Sequence, residues 1–442
     1  MIKLTKKRRS NPYVLILLSF FTVIMVGAIL LWLPFSSIEG HMKFIDALFM
    51  ATSAVCVTGL ATVNVAAEFS LFGKIVLLTL IEIGGLSFLT IIVFFTSLIS
   101  SKLKISQTFL MREALNQSSA KGIVGLIRLI VITALIIQTL GVVGCYFIIE
   151  DMIPGLTQKE ILGYSIFHTI SAFNNAGFDT FGPDSLIPFA DNVWFNVITI
   201  ALIVLGGLGF VVIHEVLFKH KWRKFSLHTK IVLVSTITLL VVGTLLIKLT
   251  MGDKMTWLQS AFLSVSTRTA GFATYDMGKL TDATFIITIV LMLIGASPCS
   301  TGGGMKTTTF FIAMVTIVSY ATGRKPVAFK RKISDSLISK TFTLVTLAIM
   351  FVTTIACILT ITEAGKGFMM SDLFFEVVSG FGTVGYSTGI TSSLSSLGKL
   401  LISLTMYCGR LGPLTIVSLL NSNWVFDKSS GVKYIEENVL IG

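Results

Sequence analysis

The chain reads as an all-α polytopic membrane protein. It is expected to hold four helix–half-helix–loop–helix repeats, eight transmembrane helices and four re-entrant half-helices in all, around a pseudo-fourfold pore. Three observations predict this. The 442 residues are 54% hydrophobic and only 13% charged, whereas a soluble globular domain carries about 25% charged residues. Lipid must therefore replace water as the main solvent along the whole length. Long apolar segments are separated by basic clusters and acidic connections in alternation. Four small-residue loops of one pattern recur between those segments, which marks one structural unit used repeatedly.

The first apolar run, Val14 to Leu33, carries no charge and follows Lys3, Lys6, Lys7, Arg8 and Arg9. A signal peptide would have an apolar core of about 7–15 residues and a small-residue cleavage site. This run is longer and ends in "LLWLPF", so it predicts a retained membrane helix. Further basic residues gather around Lys102 to Arg128, in "KHKWRKFSLHTK" (Lys219 to Lys230), in "GRKPVAFKRK" (Gly323 to Lys332) and thinly in the tail. Acids such as Glu39, Asp46, Asp179, Asp184, Asp276 and Glu363 occupy the connections between them. By the positive-inside rule the basic places and both termini are cytoplasmic. The net charge of +12 follows this topology and does not call for nucleic acid. The five cysteines lie scattered in apolar sequence with no CxxC spacing, so neither a disulfide framework nor a zinc site is expected. The clusters divide the chain into units 1–101, 102–218, 219–324 and 325–425 and a tail, 426–442.

Within each unit a long apolar segment leads to a short amphipathic stretch, a Ser/Thr/Asn/Gly-rich loop and a second apolar segment with a small-residue break. The loops are "SAVCVTGL" (Ser53 to Leu60), "SAFNNAGF" (Ser171 to Phe178), "STRTAGF" (Ser266 to Phe272) and "SGFGTVGYS" (Ser379 to Ser387). Their pivotal glycines are Gly59, Gly177, Gly271 and Gly385. Phe49, Phe167 and Phe375 precede them by ten residues and Phe262 by nine. In the second apolar segments Gly84, Gly206, Gly295 and Gly409 follow the pivotal glycines by 25, 29, 24 and 24 residues. A helix of about ten residues reaches only halfway through a bilayer of about 30 Å. The amphipathic stretches are therefore half-helices, and their loops must be buried in protein or line a watery path.

Four loops nearly free of charge offer backbone carbonyls as their chemistry, and a ring of carbonyls can replace the hydration shell of a monovalent cation. Glycine lets the backbone turn its carbonyls toward an axis. The half-helix C-termini direct partial negative charge at the same place. Mg²⁺ or Ca²⁺ would call for carboxylates.

These loops, above all "STRTAGF" and "NNAGF", resemble the filter segments of the Trk/Ktr/HKT superfamily of potassium transporters. The resemblance spans nearly the whole chain and is closest to the KtrB-type membrane subunit. It implies a filter in which carbonyls of Val57, Thr58, Asn175, Ala176, Thr269, Ala270, Thr383 and Val384, with Gly59, Gly177, Gly271 and Gly385, bind K⁺. Gly at all four positions goes with K⁺ preference in that family. The third repeat interrupts its second helix with "GASPCSTGGGMKTTT" (Gly295 to Thr309), and three glycines after a proline cannot form a comfortable helix interior. This is similar to the family's intramembrane gate loop, here 296–308, with Gly295, Ala296, Ser297, Pro298, Gly302, Gly303, Gly304 and Lys306 as gate residues. A phosphate loop is the other reading, but Met305 breaks the Gly-Lys-Ser/Thr pattern and no strand precedes it.

Arg410, in "YCGRLGP", sits between apolar flanks, and a charge at membrane depth is by default functional. The resemblance makes it an electrostatic barrier beside the gate. Arg268 is expected to brace the filter from behind, with Glu376 as its partner. Glu82 and His168 fall in apolar segments without a role that sequence can name.

The resemblance further implies K⁺ as the transported ion, Na⁺ as a candidate activator and no covalently bound cofactor. It also implies a homodimer in the lipid of a bacterial plasma membrane, seated on a cytosolic nucleotide-binding ring of RCK-type subunits. The tail "KYIEENVLIG" (Lys433 to Gly442) is one docking surface, and Val439 to Ile441 are placed at the dimer interface. Two other classes were weighed. A symporter of an organic solute would show inverted repeats and a midplane pocket, whereas these repeats are parallel. A membrane enzyme would need a catalytic cluster, and His41, His168, His214, His220 and His228 form none.

Overall fold

The computed structural model of the chain describes residues 12–87, 90, 91, 94 and 123–412. The basic N-terminal cluster, most of the cluster from Lys102 to Arg128, the boundary at 101/102 and the whole tail lie outside the described residues. Among the described residues four helices are long and apolar enough to cross a bilayer unaided: α1 (Pro12–Trp32), α4 (Ile123–Met152), α8 (Leu227–Met251) and α12 (Asp335–Thr362). Each exposes large apolar side chains, among them Phe21, Leu140, Leu249 and Ile361. A surface of this kind suits lipid and would be untenable in water.

Each long outer helix is followed by a short one: α2 (Phe44–Cys56), α5 (Gln158–Phe173), α9 (Trp257–Ser266) and α13 (Met370–Gly382). With 13, 16, 10 and 13 residues they are about 15–24 Å long at 1.5 Å per residue, short of a bilayer. Capping boxes start α5 (Thr157 with Glu160) and α9 (Thr256 with Gln259), satisfying amides that the helix itself cannot. The phenylalanine shared by the four repeats is the reason these helices sit at the centre. Phe49, Phe167, Phe262 and Phe375 are 0%, 4%, 1% and 0% exposed.

The inner helices are α3 (Leu71–Leu86), α6 (Val193–Leu208), α10 (Asp282–Leu293) and α14 (Ser396–Leu411). All four begin at a side-chain cap, supplied by Ser70, Asn192, Thr281 and Ser395 in turn. Each then breaks where the sequence carries its small residues. Ser87, Gly209 and Gly412, each three residues beyond the aligned glycine, take φ of 69°, 91° and 80°. After Gly209 the chain continues as α7 (Phe210–Lys219), bent by 99° from α6. In the third repeat the break widens into a loop before α11 (Thr307–Ala321). Lys306 caps α11, so Thr307 and Thr308 lie in its first turn. A two-stranded antiparallel hairpin, Val327–Ala328 with Arg331–Lys332, follows in the basic connection.

Candidate functional site

The chain leaves each half-helix through the same backbone turn. Val57, Asn175, Thr269 and Thr383 have φ of 56°, 59°, 78° and 51°, and the glycines two residues on, Gly59, Gly177, Gly271 and Gly385, have 96°, 71°, 72° and 99°. Left-handed backbone costs a non-glycine residue about 1–3 kcal/mol and persists only where its surroundings impose it. Left-handed φ at alternate residues turns successive carbonyls to one side of the strand.

The amides are held on the other side by the serine that opens each loop. Ser53 accepts from Thr58 N at its carbonyl (2.8 Å) and from Gly59 N at Oγ (3.1 Å). Ser379 accepts from Val384 N (2.9 Å) and Gly385 N (3.1 Å) in the same way. The Ser171 carbonyl accepts from Ala176 N at 2.8 Å, and that of Ser266 from Ala270 N at 2.9 Å. The sequence showed these serines only as loop composition; their anchoring role was not foreseen.

The four strands close on one another. A Cβ added to Gly59 would stand well inside 3.0 Å of the Ala176 carbonyl oxygen. The same holds for Gly177 against Ala270, Gly271 against Val384 and Gly385 against Thr58. Each strand thus abuts the next in cyclic order, first to second, second to third, third to fourth and fourth back to first. Among the described residues the carbonyl oxygens of Thr58, Ala176, Ala270 and Val384 accept no hydrogen bond. The result is a ring of four unsatisfied oxygens, with no room for a side chain at the four glycines.

Side chains behind the ring tie the strands together. A hydrogen bond of 3.1 Å joins the Asn175 amide group and the Thr269 hydroxyl, and Tyr386 OH donates to the Phe272 carbonyl at 2.7 Å. Glu82 accepts from Asn174 Nδ2 at 2.6 Å and Gln138 Nε2 at 2.9 Å. His168 is buried, joined to Thr199 Oγ1 at 2.9 Å and stacked on Phe195, and is part of the packing. One expectation fails. Among the described residues no ion pair or hydrogen bond joins Arg268 to Glu376. Glu376 instead accepts from Thr391 in the connection beyond the filter, while Arg268 lies buried with its Nε unpartnered. Arg268 follows the end of α9 in the third repeat, whereas Glu376 lies within α13 in the fourth, and each has its own surroundings.

The loop 294–306 lies directly against the filter strands. Gly303 N donates to Thr383 Oγ1 at 3.0 Å, and Thr301 Oγ1 donates to the Phe173 carbonyl at 3.2 Å. A Cβ on Gly302 would overlap the Thr269 hydroxyl, and one on Gly303 that of Thr383. Ser297 N, Thr301 N and Gly304 N bind the carbonyls of Gly207, Gly206 and Gly409 at the neighbouring inner-helix breaks. Arg410 crosses from the fourth repeat and donates to the carbonyls of Thr301 and Gly84. Lys306 Nζ donates back to the Gly302 carbonyl at 2.8 Å. The structure thus brings the loop, Arg410 and Lys306 together at the carbonyl ring.

Beyond the glycines on the other side opens a cavity of about 660 Å³. Asp179, Asp184 and Asp276 line it together with Lys279, and Lys279 pairs with Asp276 at 3.2 Å. Burial pushes the Asp179 carboxyl up to about 6, against the pull of hydrogen bonds from Ser185, Phe181 and Gly182. Among the described residues no group of three His, Cys, Asp or Glu side chains is placed to hold a metal ion. Among the described residues, the carbonyl ring has a chemistry that suits a dehydrated monovalent cation.

Known proteins resemble this chain over nearly its whole length. The chain is 37% identical to the potassium/sodium uptake protein NtpJ of Enterococcus hirae, over 99% of this chain and 98% of that protein. It is 35% identical to the Ktr system potassium uptake protein B of Bacillus subtilis, covering 100% and 99% of the two chains. It is 38% identical to the protein of that name from Vibrio alginolyticus, covering 100% and 97%. The crystal structure of the potassium transporter TrkH from Vibrio parahaemolyticus shares the fold, with a TM-score of 0.74 at 17% identity over 95% of this chain and 87% of that one. The model of the family described as TrkH, cation transport protein, matches residues 3–423, and the chain belongs to that family.

Proposed function

We propose that the protein takes up K⁺ across a bacterial plasma membrane as the ion-translocating subunit of a Ktr-type system. The observation that carries this reading is the closed ring of four carbonyl oxygens without hydrogen-bond donors. In it K⁺ exchanges hydration water for the oxygens of Thr58, Ala176, Ala270 and Val384, with Val57, Asn175, Thr269 and Thr383 contributing the next carbonyls. The loop 296–308 is the gate, and Arg410 and Lys306 place positive charge beside it to oppose cation passage until it moves. The protein is a transporter and not an enzyme. Around the ring the units 1–101, 102–218, 219–324 and 325–425 each supply two membrane-crossing helices and one half-helix. Both termini are cytoplasmic. A homodimer on a cytosolic RCK-type ring supplies control, and Na⁺ acts as activator.

The test is ⁸⁶Rb⁺ uptake into K⁺-loaded liposomes carrying the purified protein, with external K⁺ and Na⁺ as competitors. K⁺ is expected to compete far better than Na⁺, and Gly59→Ser to erode that preference about tenfold, because an added side chain displaces the Ala176 carbonyl. Absence of Rb⁺ movement even after removal of residues 296–308 would rule the filter reading out.

A further inference from the structure

Glu82 lies half-buried on α3, the inner helix of the first repeat, yet the elements it serves belong to the second. Its Oε2 accepts from Asn174 Nδ2 at 2.6 Å and from Gln138 Nε2 at 2.9 Å. Gln138 is on the second repeat's outer helix, α4, and is 6% exposed. Asn174 caps the C-terminal end of the half-helix α5, and the filter strand Asn175, Ala176, Gly177 begins at the next residue. The same Asn174 amide nitrogen also donates to the Ile170 carbonyl at 2.9 Å. Both of its N–H groups are therefore committed, one to its own half-helix and one to Glu82. Gly85 permits this approach, since a Cβ there would overlap Asn174 Oδ1.

An apolar side chain at position 82 would fill the space but would leave two amides without acceptors, and an unmade hydrogen bond in such surroundings is costly. More is at stake than satisfaction of those amides. Asn174 is two residues from the Ala176 carbonyl, and Asn175 between them is held in left-handed backbone with φ of 59°. A shift of the cap passes into the strand with little to absorb it.

We infer that Glu82 is a positioning residue for the second quarter of the filter: a hydrogen-bond acceptor lent by the first repeat fixes Asn174 and thereby the Ala176 carbonyl, setting the preference for K⁺ over Na⁺. The inference rests on the filter reading proposed above. What matters in it is the acceptor oxygen. A carboxamide at the same place can still accept from Asn174, so Glu82→Gln is the conservative replacement and Glu82→Ala removes the contact.

The experiment is the Rb⁺ uptake assay on the full-length protein in liposomes, comparing the competing power of K⁺ and Na⁺ in Glu82→Ala, Glu82→Gln, Asn174→Ala and the double variant Glu82→Ala/Asn174→Ala. The two single alanine variants should each lose about fivefold of the K⁺ preference, as fits one strong hydrogen bond. The double variant should lose no more than either, because both break one contact, and Glu82→Gln should stay within about twofold of the parent. Three results would overturn the inference: an undiminished preference in Glu82→Ala, additive losses in the double variant, or Glu82→Gln as damaging as alanine. Should Glu82→Ala fail to assemble, loss in Asn174→Ala with retention in Glu82→Gln still supports it, and the reverse pattern overturns it. A parent protein without any K⁺ preference would instead sink the filter reading itself, before the variants are compared.

Discussion

At the scale of single residues, the cavity beyond the four glycines is a mouth whose charge depends on pH. Asp179 follows Gly177 by two residues, and burial raises its carboxyl to about 6. The sign is fixed by that direction: the group is neutral near pH 5, ionised near pH 7.5, and adds one negative charge to the mouth as pH rises through 6. Asp184 shares the cavity, whereas Asp276 is offset by Lys279. A unit charge at about 4 Å in water is worth about 1 kcal/mol, or about a fivefold change in local cation concentration. Uptake of Rb⁺ from dilute solution should therefore rise a few-fold between pH 5 and 7.5 with a midpoint near 6. Asp179→Asn should flatten the profile at the lower level, and raising the ionic strength should shrink the difference by screening. A profile with the same midpoint in Asp179→Asn would assign the titration to another group.

At the scale of elements, the repeat was legible because its signals are local. The phenylalanine before each pivotal glycine, the small loop residues and the aligned inner-helix glycines lie within about one unit of sequence. They gave the half-helices, the filter loops and the helix breaks. What was not legible is what two distant segments do to each other. Glu82 and Asn174 are 92 residues apart, so no window of sequence joins them, and the serine anchors look like ordinary loop residues until the backbone curls over them. Thr307–Thr309 form the first turn of α11, which Lys306 caps. The expected pairing of Arg268 with Glu376 failed because one lies in the loop after α9 and the other within α13, and sequence does not fix which way either side chain points. Arg410 meets the loop 294–306, a contact for which its apolar flanks offered no partner. Its hydrogen bonds to the Thr301 and Gly84 carbonyls join that loop to the first and fourth inner helices. Charged hydrogen bonds contribute about 1.5–3 kcal/mol, so Arg410→Gln should raise Rb⁺ flux in liposomes lacking any cytosolic subunit by about tenfold. Flux equal to that of the parent would mean that the loop is held closed by its backbone contacts alone.

At the scale of the whole molecule, a linear series of four units must close into a ring, and three of its four joints lie between units that follow one another in the chain. The fourth, between the last unit and the first, has no such help and depends on side chains. Lys399 Nζ, on α14, pairs with Asp46 Oδ1, on α2, at 2.7 Å across 353 residues. Tyr407 OH donates to the Leu17 carbonyl at 2.7 Å nearby in the same joint. Both members of the ion pair are nearly buried, with side chains 11% and 13% exposed. Such a pair adds little net stability over an apolar replacement, but removing one partner leaves a buried charge unpaired and costs about 3–5 kcal/mol. Asp46→Ala and Lys399→Ala should thus each lower the apparent unfolding temperature of the detergent-solubilised protein, whereas Asp46→Leu with Lys399→Met should recover most of the loss. Because Gly385 abuts the Thr58 carbonyl at this same joint, the single variants should also lose part of the K⁺ preference in the Rb⁺ competition assay. Equal stability in the single and double variants would show that the joint is held by packing alone, with the ion pair incidental to closure of the ring.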